Sequence, residues 1–247
     1  MAITIKRATG DEIAGLRKLF LEEFNNQFIY DKCHYYGWSD DYLLLVDEQP
    51  AGYACTWGLN DRNERDTLFE AYLLPPFRKQ SDAFWHQLLQ LPGVSRIECQ
   101  SNDRYLSAQL FRFANNIFAE AILFEENIQT HLSINGTEFR ERGASDLQVK
   151  DDDGPYVLLY DGKVVAHGGL MLNYNFPYAD IYMHVFEEHQ RKGFGALIVQ
   201  ELKLLAYKLG RVPAARCNIN NIVSKTTLEK AGLKPCGFVL IGSIKKS

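Results

Sequence analysis

Ile181-Tyr182-Met183-His184-Val185 alternates like a strand, and Gln190-Arg191-Lys192-Gly193-Phe194-Gly195-Ala196 follows as a basic loop with two glycines. Leu197, Ile198, Leu202, Leu205 and Leu209 then form an apolar helical stripe that ends at Gly210, a natural C′ glycine. A strand, a glycine loop and a helix in that order present backbone N–H groups to a phosphate. The helix N-terminus adds its positive dipole end, and Arg191 and Lys192 add net charge. Two phosphate motifs are excluded. The chain has no G-x-x-x-x-G-K-[ST], and Ile198 stands where a dinucleotide fingerprint needs its third glycine. A bare G-x-G also suits a tight strand-to-helix turn, so the loop alone does not decide its ligand.

The chain just beyond adds a second element. Pro213 punctuates it, and Ala214 to Ile219 reads as the next strand. Asn221-Ile222-Val223-Ser224 then opens a short helix that Asn221 or Ser224 can cap and Gly232 can stop, before a last strand at Phe238-Val239-Leu240-Ile241.

Together these residues resemble the GNAT acetyltransferase superfamily. Val185, Gln190, Gly193 and Gly195 make the V-x-x-x-x-Q-x-x-G-x-G pattern of that family's acyl-CoA pyrophosphate loop. Asn221-x-x-Ser224, with Leu228-Glu229-Lys230-Ala231-Gly232-Leu233 behind it, is similar to its closing N-x-x-[AS]…G-F segment. The resemblance is firm from Tyr156 to Ile241 and rests on the frame alone from Ile3 to Glu125. It implies an α+β fold, a mixed and mostly antiparallel sheet flanked by helices, in which two central strands splay to admit the pantetheine arm. It implies direct transfer of an acetyl group from acetyl-CoA, as donor co-substrate, to an amine on a small molecule or peptide, with no metal. Such an enzyme holds thioester and amine together, binds the oxyanion with a strand amide and removes a proton from the ammonium.

The same resemblance assigns roles by position. The amides of Arg191, Lys192, Gly193, Phe194, Gly195 and Ala196 would hold the pyrophosphate, with Gln190 in the motif; the two glycines allow an approach that a Cβ obstructs. Val185 would bond pantetheine through its backbone, and Asn221, with Ser224, would touch that arm or simply cap the helix. Asp180, Tyr182 and His184 alternate on one strand and so share a face. His184 or Asp180 is the candidate base, since an imidazole titrates near neutrality and a carboxylate serves through a raised pKa or a water relay. Many family members place a tyrosine, the proposed acid for the leaving thiolate, where this chain has Leu228. Tyr182 or a water could act instead, or the thiolate leaves unaided. Tyr174 and Tyr178, in the loop before the strand, are candidate acceptor contacts. Leu228 and the lack of an obvious glutamate base keep a rival open, a non-catalytic acyl-CoA-binding or sensing module.

Working outward, the frame occurs twice. Tyr42-Leu43-Leu44-Leu45-Val46-Asp47 matches Tyr156-Val157-Leu158-Leu159-Tyr160-Asp161, and each reads as the first strand of a hairpin. Leu73 to Arg78 aligns with Val185 to Gln190, each before a helix, Asp82 to Gln90 and Gly195 to Leu209. The expected organisation is two tandem GNAT-like domains, 1–126 and 133–247. In the first, Arg78, Ser81 and Ala83 replace Gln190, Gly193 and Gly195, so that copy is expected to have lost its CoA loop. Asp11 to Asp40 reads as two helices, with Ile13, Leu16, Leu19, Phe20 and Phe24 at helical spacing; the second copy has room only for Leu147 to Gly154 there. Asn25 to Trp38 is dense in aromatics that suit core packing or a pocket wall.

Composition bounds the rest. The chain has 247 residues, 46% of them hydrophobic, enough to bury a core, and its net charge of −4 gives no support to a nucleic-acid or polybasic membrane role. No apolar run approaches the roughly 18–20 residues that span a bilayer. Five scattered cysteines without a C-x-x-C pair read as reduced thiols, and the expected location is the cytoplasm.

Overall fold

The computed structural model describes residues 2–24, 30–144, 146 and 154–245. In chain order the elements are β1 (Ile3–Ala8), α1 (Gly10–Phe24), α2 (Tyr30–Tyr35), β2 (Ser39–Val46), β3 (Gln49–Trp57), β4 (Thr67–Leu73), α3 (Ser81–Leu88), β5 (Arg96–Gln100), α4 (Arg104–Phe113) and β6 (Ala114–Glu126). They continue with β7 (Thr137–Glu141), β8 (Tyr156–Tyr160), β9 (Lys163–Met171), β10 (Tyr178–Val185), α5 (Phe194–Lys208), β11 (Val212–Asn218), α6 (Ile222–Lys230) and β12 (Leu233–Ile244). Leu147 to Asp153, including the acidic turn, and Asn25 to Ile29 lie outside the described residues.

Two compact units result: Met1–Glu120 with Gly237–Ser247, and Ala121–Cys236. The strands of the first run β1-β2-β3-β4-β5-β12 and those of the second β6-β11-β10-β9-β8-β7. The units therefore differ from a linear division at 1–126 and 133–247. Residues 121–125 pair with β11, and Val239–Ser243, at the far end of the chain, pair with β5. The segment Asn127 to Ser133, expected at the boundary, is fastened within the second unit. The amides of Asn127 and Ile128 donate to Gly232 O, and Gln200 on α5 binds Leu132 through both its amide N–H and its carbonyl.

Local chemistry accounts for the repeated hairpins. The β2–β3 turn places Asp47 and Glu48 at φ 47° and 62°, and the β8–β9 turn places Asp161 and Gly162 at 48° and 76°. Two consecutive positive φ values match the twist of the flanking strands. Helix α1 opens with a capping box: Glu12 Oε2 accepts from Thr9 N at 2.7 Å, and Thr9 Oγ1 accepts from Glu12 N at 3.4 Å. Its buried face centres on Ile13 and Phe20; Leu19, expected in the stripe, is exposed.

Each unit has its own core. In the second, α5 buries Leu197, Ile198, Val199 and Leu202 against Phe124, Val165, Ile181 and Ala215. In the first, Phe84, Trp85 and Leu88 of α3 cover Leu44, Ala54, Leu68 and Ile97. Only β4–β5 and β10–β11 pair in parallel among the described ladders, and both pairings are short. No helix among the described residues is long and apolar enough to cross a membrane.

Candidate functional site

Strands β10 and β11 pair from Tyr178↔Val212 to Asp180↔Ala214 and no further. Both strands go on: β10 pairs with β9 through Val185, and β11 pairs with β6 through Asn218. The edge of β10 from Ile181 to Val185 thus parts from β11, the splay that the sequence resemblance implies. The β9–β10 ladder has no register break over Asp180–Val185, so Asp180, Tyr182 and His184 lie on one face. Ile181, Met183 and Val185 point the other way, into the core beneath α5.

The loop after β10 is shaped for an anion. Arg191 and Gly193 have φ of 60° and 93°, and Gly193 is the N-cap of α5. Among the described residues the amides of Arg191 to Ala196 make no hydrogen bond, while Leu197 N already closes on Gly193 O. The last three of these are the orphan donors of a helix N-terminus. Lys192 turns back, its Nζ donating to Glu188 O at 2.9 Å, and Gln190 Nε2 donates to Val185 O at 3.2 Å. The side chain of Gln190 therefore braces the strand end, and one of the two backbone groups of Val185 is engaged within the protein. Phe194 is buried and contributes to the site only through its amide. A Cβ at Gly195 would stand 3.0 Å from Thr227 Cγ2 and 3.5 Å from Val185 Cγ2, closing the gap between α5 and α6.

That gap opens into a cleft of about 670 Å³. It gathers His184, Val185, Gln190, Arg191, Gly193, Gly195, Ala196, Asn221 and Ser224, nine of the residues singled out in the sequence. Asn221 is the N-cap of α6, its Oδ1 accepting from Ser224 N at 3.0 Å. The cleft also takes Val223, Thr226, Thr227 and Lys230 from α6, and Met183 and His189. The α6 set repeats at three and four residues, a helical face that periodicity counted from Asn221 would reveal.

Asp180, Tyr182, Tyr174 and Tyr178 are not among the cleft's lining residues. Asp180 is 5% exposed, with Arg216 Nε 3.7 Å from its Oδ2. Tyr174, expected to meet an acceptor from a surface loop, is 2% exposed beside Asp180 and Arg216; burial, and then the Asp180 charge, push its hydroxyl pKa well up. Tyr178 opens β10, half-buried, and its carbonyl accepts from Arg211 Nη1 at 3.5 Å. The phenol of Tyr182 lies over β9, where a Cβ on Gly169 would come within 2.7 Å of its oxygen. His184 is exposed, and its ring centroid lies 5.3 Å from that of His167, whose Nδ1 accepts from Gly154 N at 3.3 Å. Leu228 is buried and offers no proton.

The corresponding turn of the first unit is built differently. Pro75 and Pro76 have no N–H, no described residue from 74 to 83 has positive φ, and Arg78 is held by Glu23 at 2.6 Å.

A parted parallel strand pair beside an amide-rich helix start is the arrangement that the sequence resemblance implies, and known proteins share it. Residues 119–232 match the model of the acetyltransferase (GNAT) family. An acetyltransferase from the GNAT family of Colwellia psychrerythraea superposes with TM-score 0.76 at 14% identity, over 98% of this chain and 100% of that one. A tandem GNAT protein from the clavulanic acid biosynthesis pathway gives 0.64 at 13% over all of both chains, and a GCN5-related N-acetyltransferase from Sphaerobacter thermophilus 0.62 at 12% over 99% and 96%. No curated protein matches the sequence. The second half of the chain belongs to the GNAT acetyltransferase family, and the whole chain has the tandem GNAT fold.

Proposed function

We propose that the second unit binds acetyl-CoA and transfers its acetyl group to an amine, while the first unit has lost that capacity. The observation that carries this reading is the run of amides from Arg191 to Ala196, without protein partners among the described residues, beside the opened β10 edge. Acetyl-CoA, when bound, supplies the carbonyl carbon that the amine attacks: a C–N bond forms, the C–S bond breaks, and CoA leaves as a thiolate. The protein's own part is threefold. Amides of the loop bind the diphosphate. Amides of Ile181–Val185 that face β11 hold the arm and the carbonyl oxygen. His184, in the cleft and reachable from the parted edge, takes the ammonium proton directly or through a water.

Thiol release from acetyl-CoA over a panel of amines tests the reaction. Acceptor-dependent release supports it. CoA binding without any release favours the second reading, an acyl-CoA sensor, which buried Leu228 supports by removing the family's acid. With a responsive amine, His184→Ala is expected to lower kcat/KM about a hundredfold or more. The variant should also change the pH profile of kcat/KM, because a general base works only when deprotonated. If the profile of His184→Ala matches the parent, and Asp180→Asn leaves it unchanged too, neither residue is the base.

A further inference from the structure

We propose that Arg216 recognises a carboxylate on the acceptor, so that the amine acylated is that of an amino-acid-type zwitterion. The proposal rests on the acyltransferase reading above and concerns the face of β10 and β11 that points away from α5. Carrying the parallel register past its last pair, Asp180↔Ala214, sets Tyr182 opposite Arg216 and His184 opposite Asn218 on that face. Arg216 is the only lysine or arginine in either strand. Its side chain stays 30% exposed, although its neighbour Asp180 is nearly sealed.

The guanidinium is held in place. Asp180 lies 3.7 Å from Nε, and the Tyr174 ring centroid lies 5.6 Å from Cζ. The phenol of Tyr182 leans over Gly169 on β9, away from β11. Asp180 is nearly sealed, so the group offered on the β11 side of the splay is the part-exposed guanidinium, oriented by Asp180 and Tyr174. A zwitterion meets this face in one orientation: its ammonium turns to β10, toward His184, and its carboxylate to Arg216. The planar fork of an arginine suits a carboxylate, where a lysine would offer a point charge.

The test is calorimetric titration of the CoA-saturated full chain with each common amino acid, its decarboxylated amine and its carboxamide. At least one amino acid should bind tenfold or more tightly than both of its neutralised counterparts. Arg216→Gln should reduce that ratio to near one, and Arg216→Lys should keep a few-fold preference. Because Arg216→Gln leaves Asp180 uncompensated, Asp180→Asn with Arg216→Gln provides a charge-balanced second variant. Equal binding within every set, no binding by any amino acid, or a preference that survives in either Gln variant overturns the proposal. Failure to bind CoA is a separate result: it overturns the acyltransferase reading, and the same titration without CoA still reads the carboxylate preference.

Discussion

Gly193→Asp is expected to weaken acetyl-CoA binding about a thousandfold, or about 4 kcal/mol, in calorimetric titration. Two effects add. The backbone at 193 has φ 93°, where a residue with a Cβ is strained. The new carboxylate would also sit where a diphosphate meets the N-terminus of α5, so a like charge faces the ligand in a site built from positive partial charges. The fold should lose less, about 1–2 kcal/mol of backbone strain, because a Cβ at 193 meets nothing nearer than Ile134 Cδ1 at 3.4 Å. Gly193→Ala separates the two effects: strain alone should cost about tenfold. Affinity within threefold of the parent in Gly193→Asp would remove the loop from the binding site. Gly195→Asp checks the neighbouring position, where the obstacle is Thr227 rather than backbone geometry.

How much of this is legible without coordinates depends on how narrowly each residue type constrains the backbone. Glycine marks the few backbone positions that other residues reach only with strain, here 193 and 210 at φ 93° and 67°, so the helix expected at 195–209 is found at Phe194–Lys208. Asn221 likewise reads as a cap. The duplicated frame also holds: the hairpins β2–β3 and β8–β9 and the segments β4–α3–β5–α4 and β10–α5–β11–α6 recur in order. Pairing partners are another matter. Phe238-Val239-Leu240-Ile241 announces a strand but not its neighbour, and a continuous apolar run fits β5 as well as any other edge, so its place in the first unit is invisible from sequence. Side-chain direction in an irregular loop is equally hidden: nothing in Asn173 to Tyr178 says that Tyr174 turns inward onto Asp180. Arg216 looks like an ordinary strand residue until the β10–β11 ladder is seen to stop two residues before it.

Replacing Glu70 by alanine should destabilise the first unit by about 3–5 kcal/mol, the usual cost of leaving buried cations without their carboxylate. Glu70, on β4, is fully buried and bonded on all sides. Tyr53 Oη donates to Oε1 at 2.8 Å, Arg17 Nε donates to Oε1 at 3.0 Å, and His34 Nε2 lies 2.9 Å from Oε2. Arg17 is bound further by Asp31 at 2.6 Å, and His34 Nδ1 lies 3.3 Å from Asp41. His34, Cys55 and Glu70 bring ligand atoms within 4.8 Å of one another, yet Arg17 already supplies the positive charge that Glu70 faces. Offset by 112 residues, Glu70 matches Tyr182 in the second unit; β4 also leaves β5 after Leu68, and its parted stretch carries a sealed ion network where that of β10 does not.

The same network gives stability a pH dependence of defined sign. Burial alone would lower the His34 pKa, but hydrogen bonds to Asp41 and Glu70 outweigh it and raise the value to about 9. An unfolded histidine titrates near ~6.5. The contribution of His34 is therefore complete below about pH 6.5 and is lost as pH rises through about 9, a change of roughly 3 kcal/mol. Urea unfolding of the parent and of His34→Gln at intervals from pH 6 to 9.5 should show the parent's advantage shrinking across that window. A constant difference between the two curves would mean that His34 is not charged in the folded protein, and Glu70 would then be balanced by Arg17 alone. Arg17→Met with Glu70→Leu should cost less than Glu70→Ala, since both charges leave together and apolar volume replaces them.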